Sequence, residues 1–162
     1  MISVLFVCLG NICRSPMAEA VFKHQAKEQG LEHLIAADSA GTGDWHLGKP
    51  PHEGTRGLLD RIGISYEGMR ARQVRPNDYN EFDYIVCMDS ANERDVRQLF
   101  GCKSTGRTQV FKFMDLLPEK KMEDVPDPYY TGNFEEVYEL VAEGCSRLLA
   151  KIRSEQLNES SV

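Results

Sequence analysis

Apolar and polar residues change their spacing several times along the chain, and each change predicts an element. Ile2 to Val7 is an almost unbroken apolar run rich in β-branched residues, the pattern of a strand buried on both faces. From Ser15 the period becomes helical: Met17, Ala18, Val21, Phe22 and Ala26 make an apolar stripe. Ser15 is the expected N-cap, Pro16 the first helical residue and Gly30 the stop. Leu34 to Ala40 predicts a second strand, and the glycine- and proline-rich stretch from Gly41 to Pro51 predicts a loop. A short helix is expected over Glu53 to Arg61. Asp83 to Met88 reads as a third, buried strand, followed by a capping box at Ser90-Ala91-Asn92-Glu93 and a helix to Gly101. Gln109 to Phe113 predicts a fourth strand, and Met114 to Gly132, with three prolines, a loop. The last helix is expected to start at Asn133, with Glu136 as capping partner. Its core positions are Phe134, Val137, Tyr138, Val141, Cys145, Leu148, Leu149 and Ile152.

Strands separated by helices require crossover connections, so the expected class is α/β with a mainly parallel, two-sided sheet. Ligands of such sheets bind beyond the carboxyl ends of the strands, which makes the loops after Val7, Ala40, Met88 and Phe113 the functional edge. The 162 residues fit one domain over 1–153, with a polar tail over 154–162 expected to fray. There are no internal repeats. Acidic residues outnumber basic ones 25 to 19, which argues against a nucleic-acid binder that works by displacing counterions. No apolar run approaches the ~18 residues a membrane span needs, and the apolar start lacks a basic leader and a small-residue cleavage site. Five irregularly spaced cysteines do not make a secreted disulfide framework, so a cytoplasmic location is expected.

The first loop, Cys8-Leu9-Gly10-Asn11-Ile12-Cys13-Arg14-Ser15, carries chemistry. It joins a buried strand to a helix start, so backbone amides of Leu9 to Cys13 can turn inward and form an anion cradle backed by the helix N-terminus. Gly10 and Asn11 tolerate the positive φ that so tight a loop demands. The same field favours the thiolate of Cys8 as a nucleophile. Arg14 can clamp two oxygens of a tetrahedral oxyanion with its planar fork, and Ser15 can hydrogen-bond the thiolate. Together these point to phosphoryl transfer through a cysteinyl-phosphate. A nucleotide P-loop is excluded because no Gly-Lys-Ser/Thr follows. Zinc is disfavoured because Cys8 and Cys13 lack a second pair at ligand spacing.

The segment VLFVCLGNICRSPMAEAVF, with Asp127-Pro128-Tyr129-Tyr130 downstream, closely resembles the low-molecular-weight protein tyrosine phosphatases, over about Ile2 to Ile152. The resemblance implies a single domain with a four-stranded parallel sheet flanked by helices on both faces. It also implies Asp127 as general acid, then general base, on a proline-flanked loop. Asn11 would brace the phosphate loop, with Met69 standing where a supporting histidine is expected. Cys13 would form a protective disulfide with Cys8. Trp45, Tyr129 and Tyr130 would wall a cleft for an aryl phosphate, and Ile12, where phosphoarginine enzymes carry threonine, favours phosphotyrosine. Asp89 is expected to orient Arg14 or to cap a helix, and Arg72 to make a structural contact. His46 and His52 are expected to be solvated, and Cys87, Cys102 and Cys145 to be structural. The expected partners are phosphotyrosine-containing proteins, the expected state a monomer or weak dimer, and no metal or organic cofactor is implied. Two alternatives are a thioredoxin-coupled arsenate reductase, with Cys87 and Cys102 as the relay, and a non-catalytic phosphate-binding module.

Overall fold

The computed structural model describes residues 1–101 and 106–157. Four strands, β1 (Ile2–Cys8), β2 (Ile35–Gly41), β3 (Tyr84–Cys87) and β4 (Gln109–Lys112), form one sheet in the order β2-β1-β3-β4, every pair parallel. The register sets Cys8 opposite Gly41 and Val7 opposite Cys87, so the strands end together at one edge. Among the described residues six α-helices accompany them: α1 (Arg14–Glu28), α2 (Glu53–Ile62), α3 (Asp78–Glu81), α4 (Ser90–Phe100), α5 (Pro128–Thr131) and α6 (Phe134–Gln156).

Strand alternation divides the core. Val4, Phe6 and Cys8 face α1, α2 and α6, packing with Phe22, Leu58, Leu59, Val141 and Leu148. Leu5 and Val7 face the other way, onto Tyr79, Val96 and Phe100. Both faces of the central strands are therefore apolar, as the unbroken run at the N-terminus predicts. Gly144 inside α6 lets Phe113 pack against the helix axis, since a Cβ there would lie 2.2 Å from the ring. No helix among the described residues is long and apolar enough to cross a membrane.

Several boundaries differ from the sequence expectation. The first helix begins at Arg14 with Cys13 as its N-cap, without a side-chain capping bond. Ser15 is not the cap because its hydroxyl is used by Cys8. The capping residue of α4 is Asp89, whose carboxylate accepts from the Asn92 amide at 2.8 Å, one residue before the expected box. The expected loop over Met114 to Gly132 contains two 3-10 turns (Phe113–Leu116 is one, and takes Phe113 out of the fourth strand) and the single turn of α5. The one-turn helix α3 is too short for periodicity to show in the sequence; it is held by the buried Asp78, which accepts from Arg72 and from the Arg75 amide. The expected fraying point at Ser154 lies inside α6, because Glu155 accepts from the Tyr84 hydroxyl at 2.8 Å and from Gln109 at 2.9 Å. Cys102 and residues 158–162 lie outside the described residues.

Candidate active site

The loop from Cys8 to Arg14 is shaped by where its carbonyls go. The Cys8 carbonyl accepts from the Thr42 amide at 2.9 Å, Leu9 from Gly43 at 2.9 Å and Ile12 from His52 at 2.7 Å. The Cys13 carbonyl accepts from Met17 at 3.2 Å and from the Thr55 hydroxyl at 3.3 Å. These carbonyls are tied to neighbouring segments, and within the turn the Asn11 amide donates to Cys8 Sγ at 3.2 Å. Asn11 takes the left-handed conformation (φ 57°) that closes the turn.

A hydrogen-bond chain then fixes Cys8 Sγ. Asn11 Nδ2 donates to Ser15 Oγ at 2.8 Å and to Ser39 Oγ at 3.0 Å, while its Oδ1 accepts from the Arg72 amide at 2.9 Å. Ser39 in turn donates to Glu19 at 2.7 Å. Because the Asn11 amide group can only donate to Ser15, the Ser15 proton is free for Cys8 Sγ, 2.9 Å away. Met69 takes no part; the Arg72 backbone and the Ser39–Glu19 pair supply the bracing. The Arg72 side chain is structural, bonded to Asp38 and Asp78.

Arg14 is 2 % exposed. Its Nη1 donates to Asp89 at 2.8 Å and to the Val125 carbonyl at 3.0 Å, and its Nη2 reaches Asp127 at 3.4 Å. Its Nε is buried without a hydrogen-bond partner, a donor that costs stability unless something else accepts from it. Burial opposes the guanidinium charge, yet Cys8, Asp89 and Asp127 together raise its pKa above the ordinary value. Asp89 thus performs both roles foreseen for it, one oxygen on Arg14 and the other on the α4 cap. Asp127 caps α5 through the Tyr129 amide at 3.1 Å, which leaves its Oδ2 facing Arg14 and the cleft.

Cys8, Arg14 and Asp127 line one cleft of about 320 Å³, with Leu9, Gly10, Ile12, Cys13, Trp45, His46, Tyr129 and Tyr130, while Asn11 and Ser15 stand behind the lining. Trp45 and Tyr130 are exposed rims, 67 % and 76 % accessible. His46 and His52 are not the solvated residues the sequence suggests. Both are half-buried: the His46 ring lies 6.2 Å from Tyr129, and His52 stacks on Phe134 at 5.3 Å while its Nδ1 caps α2. His46 therefore lines the cleft beside Tyr129, and His52, edge-on to the same ring at 5.9 Å, supports it from the Phe134 side. Cys13 lies in the same lining, and burial, then the charges of Cys8 and Asp127, push its thiol up to about 12. Cys87 and Cys145 are buried in the core with thiols raised by the same desolvation. Among the described residues no cluster of His, Cys, Asp and Glu suits a metal ion. Missed by sequence reasoning are Ser39 and the Val125 carbonyl; only their places at β2 and beside Asp127 hint at a role.

The family model of low molecular weight phosphotyrosine protein phosphatase matches residues 3–158. The chain is 56 % identical over 156 residues to the low molecular weight protein-tyrosine-phosphatase YfkJ of Bacillus subtilis, covering 96 % of this chain and 99 % of that one. The crystal structure of YfkJ superposes with a TM-score of 0.91, over 96 % of this chain and 97 % of that one. The low molecular weight protein-tyrosine-phosphatase PtpA of Staphylococcus epidermidis is 45 % identical over 92 % of each chain. The Drosophila arginine phosphatase structure, 31 % identical, covers 94 % of this chain and 99 % of that one with a TM-score of 0.86. The chain belongs to the low molecular weight phosphotyrosine protein phosphatase family.

Proposed function

We infer that this protein is a protein-tyrosine-phosphatase that hydrolyses phosphotyrosine in proteins, and small aryl phosphates, through a cysteinyl-phosphate. The observation that carries the reading is Cys8 Sγ, held by Ser15 Oγ at 2.9 Å and the Asn11 amide at 3.2 Å, in one cleft with Arg14 and Asp127. The phosphate group seats on the loop amides, with the unpartnered Arg14 Nε and the weakly held Nη2 donating to two of its oxygens. The Cys8 thiolate attacks phosphorus, and Asp127 gives its proton to the departing phenolate. Asp127 then takes a proton from water, whose oxygen attacks phosphorus and expels the Cys8 thiolate, stabilised by the Ser15 hydroxyl. Arg14 holds the equatorial charge through both steps.

Trp45, Tyr129 and Tyr130 suit a flat aryl group. Ile12 packs with Cys13, Ala71 and Phe134 at the cradle wall, and its bulk supports phosphotyrosine over phosphoarginine. The enzyme is redox-sensitive in this reading: peroxide converts the Cys8 thiolate to a sulfenic acid, and Cys13 displaces water to form a disulfide. Both thiols line the cleft. The four free cysteines described support a cytoplasmic location. The exposed aromatic rim fits a monomer or a weak dimer. The arsenate reductase alternative needs a cysteine relay, for which Cys87, buried in β3, is poorly placed.

The test is aryl phosphate hydrolysis across pH, wild type beside Cys8→Ser and Asp127→Asn, with EDTA present. A bell-shaped profile lost in Cys8→Ser and insensitive to EDTA is expected. Full activity in Cys8→Ser would overturn the mechanism.

A further inference from the structure

The loop that carries Asp127 is fastened upstream by a cluster with no part in the steps above. Asp124 Oδ1 accepts from both the Ser90 amide and the Ser90 hydroxyl, each at 2.8 Å. Lys112, at the end of β4, donates to Ser90 Oγ at 3.1 Å and lies 3.8 Å from the Asp124 carboxylate. A lysine can only donate, so the Ser90 oxygen accepts from it and its proton is directed at Asp124. The exposed part of this ion pair is worth little by itself; its effect is to orient the hydroxyl.

The location gives the cluster its meaning. Ser90 opens α4, and the preceding residue, Asp89, caps that helix while holding Arg14. Adjacent residues at one helix start therefore hold the phosphate clamp and the acid loop in a common frame. Between the two anchors, Val125 donates to the Met88 carbonyl at 2.9 Å and accepts from Arg14. Pro126 and Pro128 fix φ on either side of Asp127, which narrows the ways the short segment from Asp124 to Asp127 can absorb a displacement.

We propose that Ser90, Asp124 and Lys112 form a positioning clamp that sets the reach of the Asp127 carboxyl to the leaving oxygen of the substrate. The inference rests on the reading of Asp127 as general acid, and the experiment separates the two. The measured quantity is kcat/KM, which reports formation of the cysteinyl-phosphate, for 4-nitrophenyl phosphate and for phenyl phosphate, whose leaving group needs the proton far more. Asp127→Asn, the reference, is expected to lose about 10²–10⁴-fold on phenyl phosphate and much less on the nitrophenyl ester. Asp124→Ala should lose about tenfold on phenyl phosphate and under about twofold on the nitrophenyl ester, a partial form of the same signature. Asp124→Asn keeps an acceptor for Ser90 and should recover most of that loss. Ser90→Ala and Lys112→Met, milder changes that carry the test if Asp124→Ala does not fold, should show the same bias at about threefold.

Selective loss in these variants, with recovery in Asp124→Asn, supports the clamp. Equal losses on the two substrates mark general loosening and overturn it, as does wild-type behaviour beside a selective Asp127→Asn. An Asp127→Asn enzyme without leaving-group dependence overturns the acid assignment instead.

Discussion

Replacing Gly41 with alanine tests whether the position of the phosphate loop limits catalysis. A Cβ at Gly41 would stand 2.7 Å from the Leu9 carbonyl oxygen and 3.2 Å from the Asn11 amide nitrogen and Cβ. Carbon–oxygen contacts of this kind sit at about 3.3 Å or beyond, so the carbonyl would have to retreat by about 0.6 Å. Gly41 cannot yield in its place: its amide donates to the Arg72 carbonyl and its own carbonyl accepts from Val74, both at 2.8 Å. The strain therefore falls on Leu9 to Asn11, the segment whose Asn11 amide donates to the sulfur. Catalytic groups must be held to within about 0.5 Å, and an error of about 1 Å costs roughly 10²-fold. The expected result is a fall in kcat/KM of about 10- to 100-fold, with about 1–3 kcal/mol of lost stability from overpacking. Gly57→Ala in α2 is the matched control, since nothing lies within 4 Å of a Cβ there. It should leave the rate unchanged and stabilise by up to about 1 kcal/mol. Steady-state hydrolysis of an aryl phosphate and thermal melts of the three proteins decide the matter. A Gly41→Ala enzyme as fast as wild type would refute the argument that this contact sets the loop.

Arg14→Lys keeps the charge but cannot hold Asp89 and the Val125 carbonyl while presenting two further donors; kcat/KM should fall by about 10²-fold or more, and retention of a tenth of the wild-type value would contradict this. In the native protein at pH 7, iodoacetamide should alkylate Cys8 and inorganic phosphate should protect it, while Cys13, its thiol pushed up to about 12, stays unmodified; peptide mapping that finds Cys13 modified first would count against the assignment. The Tyr84 phenol is pushed up to about 12, first by burial and then by its bond to Glu155. The folded state keeps a proton that the unfolded chain releases near pH ~10, so this contribution to stability is intact below that pH and is lost as pH rises towards 12. Tyr84→Phe should flatten the decline of melting temperature across that window, and parallel curves for the two proteins would sink the idea.

The elements that position the site were legible where their signals are local. The apolar run of β1, the Ser-Pro pair after it and the cysteine and arginine between them lie within 16 residues, and periodicity is enough to place a cradle at a sheet edge. What periodicity cannot show is which distant group each polar side chain meets. Asn11 finds Ser39 across 28 positions, and Arg14 finds Asp89 across 75 and the Val125 carbonyl across 111. Those pairings follow from strand order, and the sequence pattern leaves strand order open. The misplaced start of α1 is instructive in the same way. Capping rules favour Ser15 as the N-cap, yet the helix begins at Arg14 on Cys13, which makes no side-chain capping bond. The local rule fails because the one side chain suited to cap the helix lies 2.9 Å from Cys8 Sγ, inside the first turn, where it also accepts from Asn11. A helix start weakened in favour of the proposed nucleophile is a conflict between local preference and function, and such conflicts concentrate where chemistry is done. Asp89 shows the opposite resolution: its two oxygens cap α4 and hold Arg14 at once, so at the neighbouring strand end the same residue satisfies the local rule and the site together.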